Sequence, residues 1–118
     1  MPGARMRRVN EAVREVVSDH AGELKDPRIG FITVTSVETS PDLRHARVYV
    51  SVLGDESERE RALEGLSSSR GVLQAKIGEE LRLKRTPTLT FEYDPSIDHG
   101  LRMRRLIDET VGSEDDQS

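Results

Sequence analysis

The residues of this chain best placed to do chemistry are cations. Ser69-Arg70-Gly71 is followed by Lys76, Arg82, Lys84 and Arg85, and a second group, Arg5, Arg7 and Arg8, stands near the N-terminus. These side chains suit the holding of a polyanion. Arginine grips phosphate oxygens with two parallel N–H bonds, glycine lets a phosphate backbone approach closely, and a helix N-terminus adds N–H groups and partial positive charge. A basic run on a helix is ordinarily a solvated face; this one is marked by its place beside an interruption of the helical pattern. A basic arm near a terminus, such as Arg5, Arg7 and Arg8, is as often idle as it is RNA-binding. A third trio, Arg102, Arg104 and Arg105, is interleaved with apolar residues and followed by acids, so it reads as solubilising a last helix and stays outside the site.

Other chemistries find little support. His20 falls on an apolar stripe between Val16 and Leu24 and reads as a boundary or core histidine, while His45 falls in a hairpin. Asp94, Asp98 and His99 could in principle form a small metal or acid-base site, but the three histidines have no paired ligand spacing and no nucleophile motif accompanies them. Lys76 between Gly71 and Gly78 lacks the earlier glycine of a phosphate loop. With no cysteine, disulfides, thiol catalysis and cysteine-ligated metals are excluded. The residues therefore point to a binding protein with no cofactor, metal or small-molecule substrate.

The composition sharpens this reading. At 118 residues the chain supports one modest core, and its apolar runs fall far short of the ~20 residues that cross a bilayer. Charged residues follow Arg5, Arg7 and Arg8 where a signal peptide would turn apolar, so a cytoplasmic location is expected. The net charge of −4 is misleading, because the last thirteen residues hold five of the 22 acids and no base, leaving +1 on the 105 before them. Clustering sets the local potential, and the body carries the clusters.

The elements that must position these groups follow from periodicity. Met6, Val9, Val13, Val16, Val17 and Leu24 share one helical face across residues 6–24, and Asp26-Pro27 ends that helix. Residues 29–37 are mostly β-branched or aromatic and read as a strand, placed centrally in the sheet; Ser40-Pro41-Asp42 closes it. Residues 43–53 alternate, with Ala46, Val48, Val50 and Val52 on one side, which makes an antiparallel hairpin with the first strand. A helical period returns through Ala62, Leu63 and Leu66 and again through Leu73, Ile77 and Leu81. The serines and glycine between them predict a kink, and Thr86-Pro87 stops the second helix. Residues 88–93 alternate as a third strand, Ile97 and Leu101 could begin a last short helix, and the acidic end lacks periodicity and is expected to be disordered. The expected domain is 5–109, with a tail from 110 to 118.

This order, helix, strand, strand, helix, kink, helix, strand, predicts an α+β fold with helices on one face of a three-stranded sheet. It is the layout of a KH-like domain of the type II order, whose helix–helix joint clamps nucleotides. The usual Gly-x-x-Gly loop is replaced by Ser69-Arg70-Gly71. A base-stacking sheet is disfavoured, because the chain has only Phe31, Tyr49, Phe91 and Tyr93, most of them expected in the core. What remains is backbone-directed binding through Arg and Lys.

The stretch Leu24-Lys25-Asp26-Pro27-Arg28 through Thr33-Val34-Thr35-Ser36-Val37, then Ser40-Pro41-Asp42-Leu43-Arg44 and Ala46-Arg47-Val48-Tyr49-Val50-Ser51, resembles the bacterial ribosome-binding factor A family. Leu81-Arg82-Leu83-Lys84-Arg85-Thr86-Pro87 leading to Leu89-Thr90-Phe91 is similar to the segment before that family's last strand. Ser69-Arg70-Gly71 stands where the family has a small-residue-x-Gly kink. The resemblance spans roughly residues 6 to 109. It implies a non-enzymatic factor that binds the free 30S small ribosomal subunit and its 16S rRNA, acts late in maturation and in 5′-end processing of the precursor, and matters for growth in the cold. The expected rRNA-facing residues are Ser69, Arg70, Gly71, Lys76, Arg82, Lys84 and Arg85, with Arg5, Arg7 and Arg8. A monomer is the default. The alternative is a protein-protein adaptor that binds a basic partner through the acidic tail; deleting residues 112–118 separates the two.

Overall fold

The computed structural model describes residues 3–94 and Ser96. Its elements run α1 (Ala4–Ala21), β1 (Ile32–Thr39), β2 (His45–Val52), α2 (Glu56–Ser68), α3 (Arg70–Glu80) and β3 (Thr88–Tyr93). The fold is the expected α+β arrangement, with the sheet order β1-β2-β3. The last short helix, the acidic tail and the Asp98–His99 pair lie outside the described residues, as do Arg102, Arg104 and Arg105.

α1 buries Val13, Val16, Val17 and Ala21, so the apolar stripe is its core face. The helix ends at Ala21, earlier than Asp26-Pro27 suggests. Beyond it the Glu23 and Leu24 N–H groups each bond three residues back, which tightens the chain into a turn. Leu24 still packs on the core from outside the helix. A second turn follows. The Asp26 carboxylate accepts from the Arg28 N–H at 3.0 Å and the Asp26 carbonyl from the Ile29 N–H at 3.2 Å. This turn takes up the front of the β-branched run, so β1 starts at Ile32.

β1 is an edge strand, which corrects the central placement. The central strand is β2, antiparallel to β1 and parallel to β3. Its Ala46, Val48 and Val50 are all fully buried, as the middle of a one-sided sheet requires. β-Branched content marks a strand but not its neighbours. The register shifts between Val34 and Ser36, which marks a bulge at Thr35. The opposite face carries polar side chains, with Arg47 reaching Glu92 at 2.9 Å and the Tyr49 hydroxyl at 3.2 Å.

α2 starts at a capping box the periodicity did not reveal: the Glu58 N–H donates to Asp55 Oδ1 at 2.9 Å and the Asp55 N–H to Glu58 Oε1 at 3.4 Å. Ala62, Gly65 and Leu66 are its buried face. The predicted kink is a single residue. Ser69, at φ −98° and ψ 4°, caps α2 and begins α3 at once. Its N–H bonds to the Gly65 and Leu66 carbonyls, and its own carbonyl accepts from the Val72 and Leu73 N–H groups. α3 buries Leu73 and Ile77 and stops at Glu80, not at Thr86-Pro87. Residues 81–87 form an irregular connection that ends on the fully buried Pro87. The core joins Val13, Val16 and Val17 to Val34, Val37, Leu66, Leu73, Ile77, Leu89 and Phe91. Of the four aromatic residues only Phe91 is a core residue; Tyr49 and Tyr93 are half-buried and Phe31 is exposed, which corrects the expectation that most would be inside.

Candidate nucleic-acid interface

Ser69, Arg70 and Gly71 occupy the α2–α3 joint, with Ser69 half-buried and the other two exposed. The first turn of α3 carries no acidic residue and no side-chain cap. Two amides of that turn, those of Val72 and Leu73, are already bonded to the Ser69 carbonyl. A Cβ built on Gly71 would meet nothing within 4 Å, so the fold does not need this glycine. Gly65, six residues earlier, is the opposite case. A Cβ there would fall 2.8 Å from Ile29 Cγ1 and 3.3 Å from Arg28 Cβ and Asp26 Cγ, so Gly65 is what lets α2 lie against the turn before β1. The sequence reading singled out the first glycine and missed the second, because close approach by a distant segment leaves no periodic signal.

Arg82, Lys84 and Arg85 lie exposed on the connection after α3. Arg70 starts α3 and Glu80 ends it, ten residues and about 15 Å apart at 1.5 Å per residue. The candidate cations thus flank α3 at its two ends and do not form one corner. Lys76 lies between them and is drawn to Glu79 at 3.7 Å. The third group, Arg5, Arg7 and Arg8, occupies the first turns of α1 and is exposed.

The hairpin end of the sheet links two of these groups. Asn10 Oδ1 accepts from the Thr39 N–H at 2.8 Å, which fixes the first half of α1 beside the end of β1. The Thr88 N–H donates to the Arg44 carbonyl at 2.9 Å, which fixes the start of β3, three residues after Arg85, beside the same turn. Arg44, His45 and Arg47 stand there as well. His45 and Arg47 line a cleft of about 360 Å³ with Glu38, Thr39, Ser40 and Thr90. The sequence reading did not single out these three, although their basic spacing in the hairpin was legible.

The ion pairs divide the cations. Arg14, Arg28, Arg44, Arg47 and Lys76 each face a carboxylate. Arg28 donates to Asp26 at 2.6 Å and to the Ser68 hydroxyl at 3.0 Å, and its guanidinium holds the Asp26 carboxyl down at about 2. Asp42 is lowered by the Ser40 hydroxyl and the Arg44 N–H, so it serves the hairpin turn. Arg5, Arg7, Arg8, Arg70, Arg82, Lys84 and Arg85 have no carboxylate partner among the described residues. Their fields are left open to solvent. His20 is a boundary residue: Nδ1 faces Glu23 at 3.1 Å and Nε2 faces Glu80, which raises its pKa. Among the described residues no group of three His, Asp or Glu side chains could hold a metal ion.

Order, layering and the single-residue helix joint define a KH-like domain. The family model of ribosome-binding factor A matches residues 5–107, and the chain belongs to that family. It is 48% identical over 108 residues to a ribosome-binding factor A from Halothermothrix orenii, covering 91% of this chain and 88% of that one. The crystal structure of ribosome-binding factor A from Thermus thermophilus superposes with a TM-score of 0.68 at 28% identity, over 75% of this chain and 94% of that one. Coordinates of the Thermus thermophilus factor fitted into the map of a 30S complex superpose at 0.60 and 30% identity, over 70% and 88%.

Proposed function

We propose that this chain is a non-enzymatic ribosome assembly factor of the cytoplasm that binds the free 30S subunit and its 16S rRNA. It acts in late maturation and 5′-end processing of the precursor, and in growth in the cold. The observation that carries this reading is the set of exposed cations, at both ends of α3 and at the start of α1, that have no carboxylate partner among the described residues, in a family with a member fitted to a 30S map. A carboxylate beside a cation neutralises the field a phosphate would meet, so unpaired cations are the ones able to release counterions from RNA. The open space over Gly71 gives a phosphate chain room to approach.

The test is co-sedimentation with free small subunits, assembled ribosomes and naked rRNA at low and high salt, for the wild type and the Arg70→Glu, Lys84→Glu, Arg85→Glu triple variant. Selective binding to free small subunits, weakened at least about tenfold by the reversal with a shallower salt dependence, is the expected result. All three positions are exposed, so the fold should persist. Unchanged affinity and salt slope would overturn the assignment.

A further inference from the structure

The cleft at the hairpin end of the sheet carries both signs on its walls. Glu38 on β1 and Thr90 on β3 are the register partners of Arg47 on β2, so the three stand in one cross-strand row. All three are exposed, while their neighbours Val37, Ala46, Val48, Leu89 and Phe91 are buried, which puts the row on the sheet face away from the core. Thr39, Ser40 and His45 complete the cleft, and its volume of about 360 Å³ falls in the range of about 300–1,000 Å³ usual for small-ligand sites.

Arg47 is oriented and still has donors to give. Glu92 faces its Nε at 2.9 Å and the Tyr49 hydroxyl accepts from Nη1 at 3.2 Å, while Nη2 makes no hydrogen bond among the described residues. Glu38 and the His45 ring take part in no ion pair among those residues. The cleft therefore offers a carboxylate, guanidinium N–H groups, hydroxyls and an imidazole.

This mixture decides what can enter. Glu38 and Glu92 repel a phosphate, so RNA meets the cleft with a base and not with its backbone. A carboxylate accepts best from two adjacent N–H donors. Among the four RNA bases only guanine presents two on its Watson–Crick edge, N1–H and the N2 amino group, and its neighbouring O6 accepts from arginine. An unpaired base also stacks on a histidine ring. Cations for the flanking phosphates stand close by: Arg44 precedes His45, and Arg7 and Arg8 lie within a turn of Asn10, which is bonded to Thr39.

We propose that this cleft takes one unpaired guanine of the small-subunit rRNA, with Glu38 accepting from N1–H and N2–H, Arg47 donating to O6 and His45 stacking on the ring. The inference rests on the small-subunit reading and deepens it, adding one base that is read to the phosphates that are held.

The experiment treats free small subunits with kethoxal, which adds to N1 and N2 of unpaired guanines, in the presence of saturating wild type or Glu38→Gln. One guanine should be protected by the wild type and reactive again with Glu38→Gln, while the other protections persist. Removing a negative charge that merely lies near RNA strengthens binding; Glu38→Gln should instead weaken co-sedimentation about tenfold with an unchanged salt slope. The position is exposed, so the variant should melt with the wild type. Tighter binding by Glu38→Gln, or no guanine whose protection depends on Glu38, while the wild type still co-sediments, would overturn the base site and leave the small-subunit reading standing. Binding of GMP to the protein alone, with no guanine of the subunit protected, would give the cleft to a free nucleotide and overturn it equally. Failure of the wild type to co-sediment would overturn both.

Discussion

Two glycines six residues apart do different work, and alanine tells them apart. Alanine at Gly65 drives a methyl to 2.8 Å from Ile29 Cγ1 in a well-packed contact, so Gly65→Ala should lower stability by about 1–3 kcal/mol, read from thermal or denaturant unfolding. Alanine at Gly71 meets nothing, and helix propensity favours it by up to about 1 kcal/mol. Gly71→Ala should therefore melt no lower than the wild type while binding small subunits more weakly; unchanged binding would remove Gly71 from the interface. A stability assay alone would rank these residues in reverse order of their proposed importance to RNA.

At the scale of elements, the helices are held by electrostatic fastenings that periodicity does not show. His20 on α1 sits between Glu23 of the following turn and Glu80 at the end of α3, so both ring nitrogens donate when the imidazole is charged. Its pKa is raised by those partners, Glu23 first. The folded state therefore holds the proton more tightly than the unfolded chain, and the fastening is complete below the ordinary histidine value of about 6.5 and lost as pH rises through the raised one. A His20→Gln variant should melt below the wild type at pH 5.5 and approach it by pH 8.5; a pH-independent gap would refute the fastening. The start of α2 depends on Asp55 in the same way. Asp55→Ala removes the acceptor for the Glu58 N–H and should cost about 0.5–2 kcal/mol in denaturant unfolding without changing the helix order.

Across the whole molecule charge is sorted by place. The hairpin end gathers the start of α1, the start of β3 and Arg44-His45, whereas the opposite end of β2 runs into the acidic first turn of α2. A net charge of −4 hides this separation, since RNA meets a surface and not a sum. Replacing Arg5, Arg7 and Arg8 together with Gln should reduce the slope of log affinity against log salt by about 0.7 to 0.9 for each arginine that meets a phosphate. An unaltered slope would place the α1 start away from rRNA.

The sequence by itself determined the element order, the one-sided sheet, the buried faces and the short serine-glycine stretch within which the helices break, because each is written in local periodicity and turn chemistry. Strand β3 was legible residue for residue, and so were the exposed candidate cations. The tertiary structure alone decided that β1 is an edge, that Phe31 faces outward, that Gly65 and not Gly71 is sterically required, and that the cations flank α3. The reason is common to all four. Each depends on which distant segment lies alongside, Ile29 against Gly65 or Thr88 against Arg44, and a pattern along one chain specifies a face without naming what will cover it.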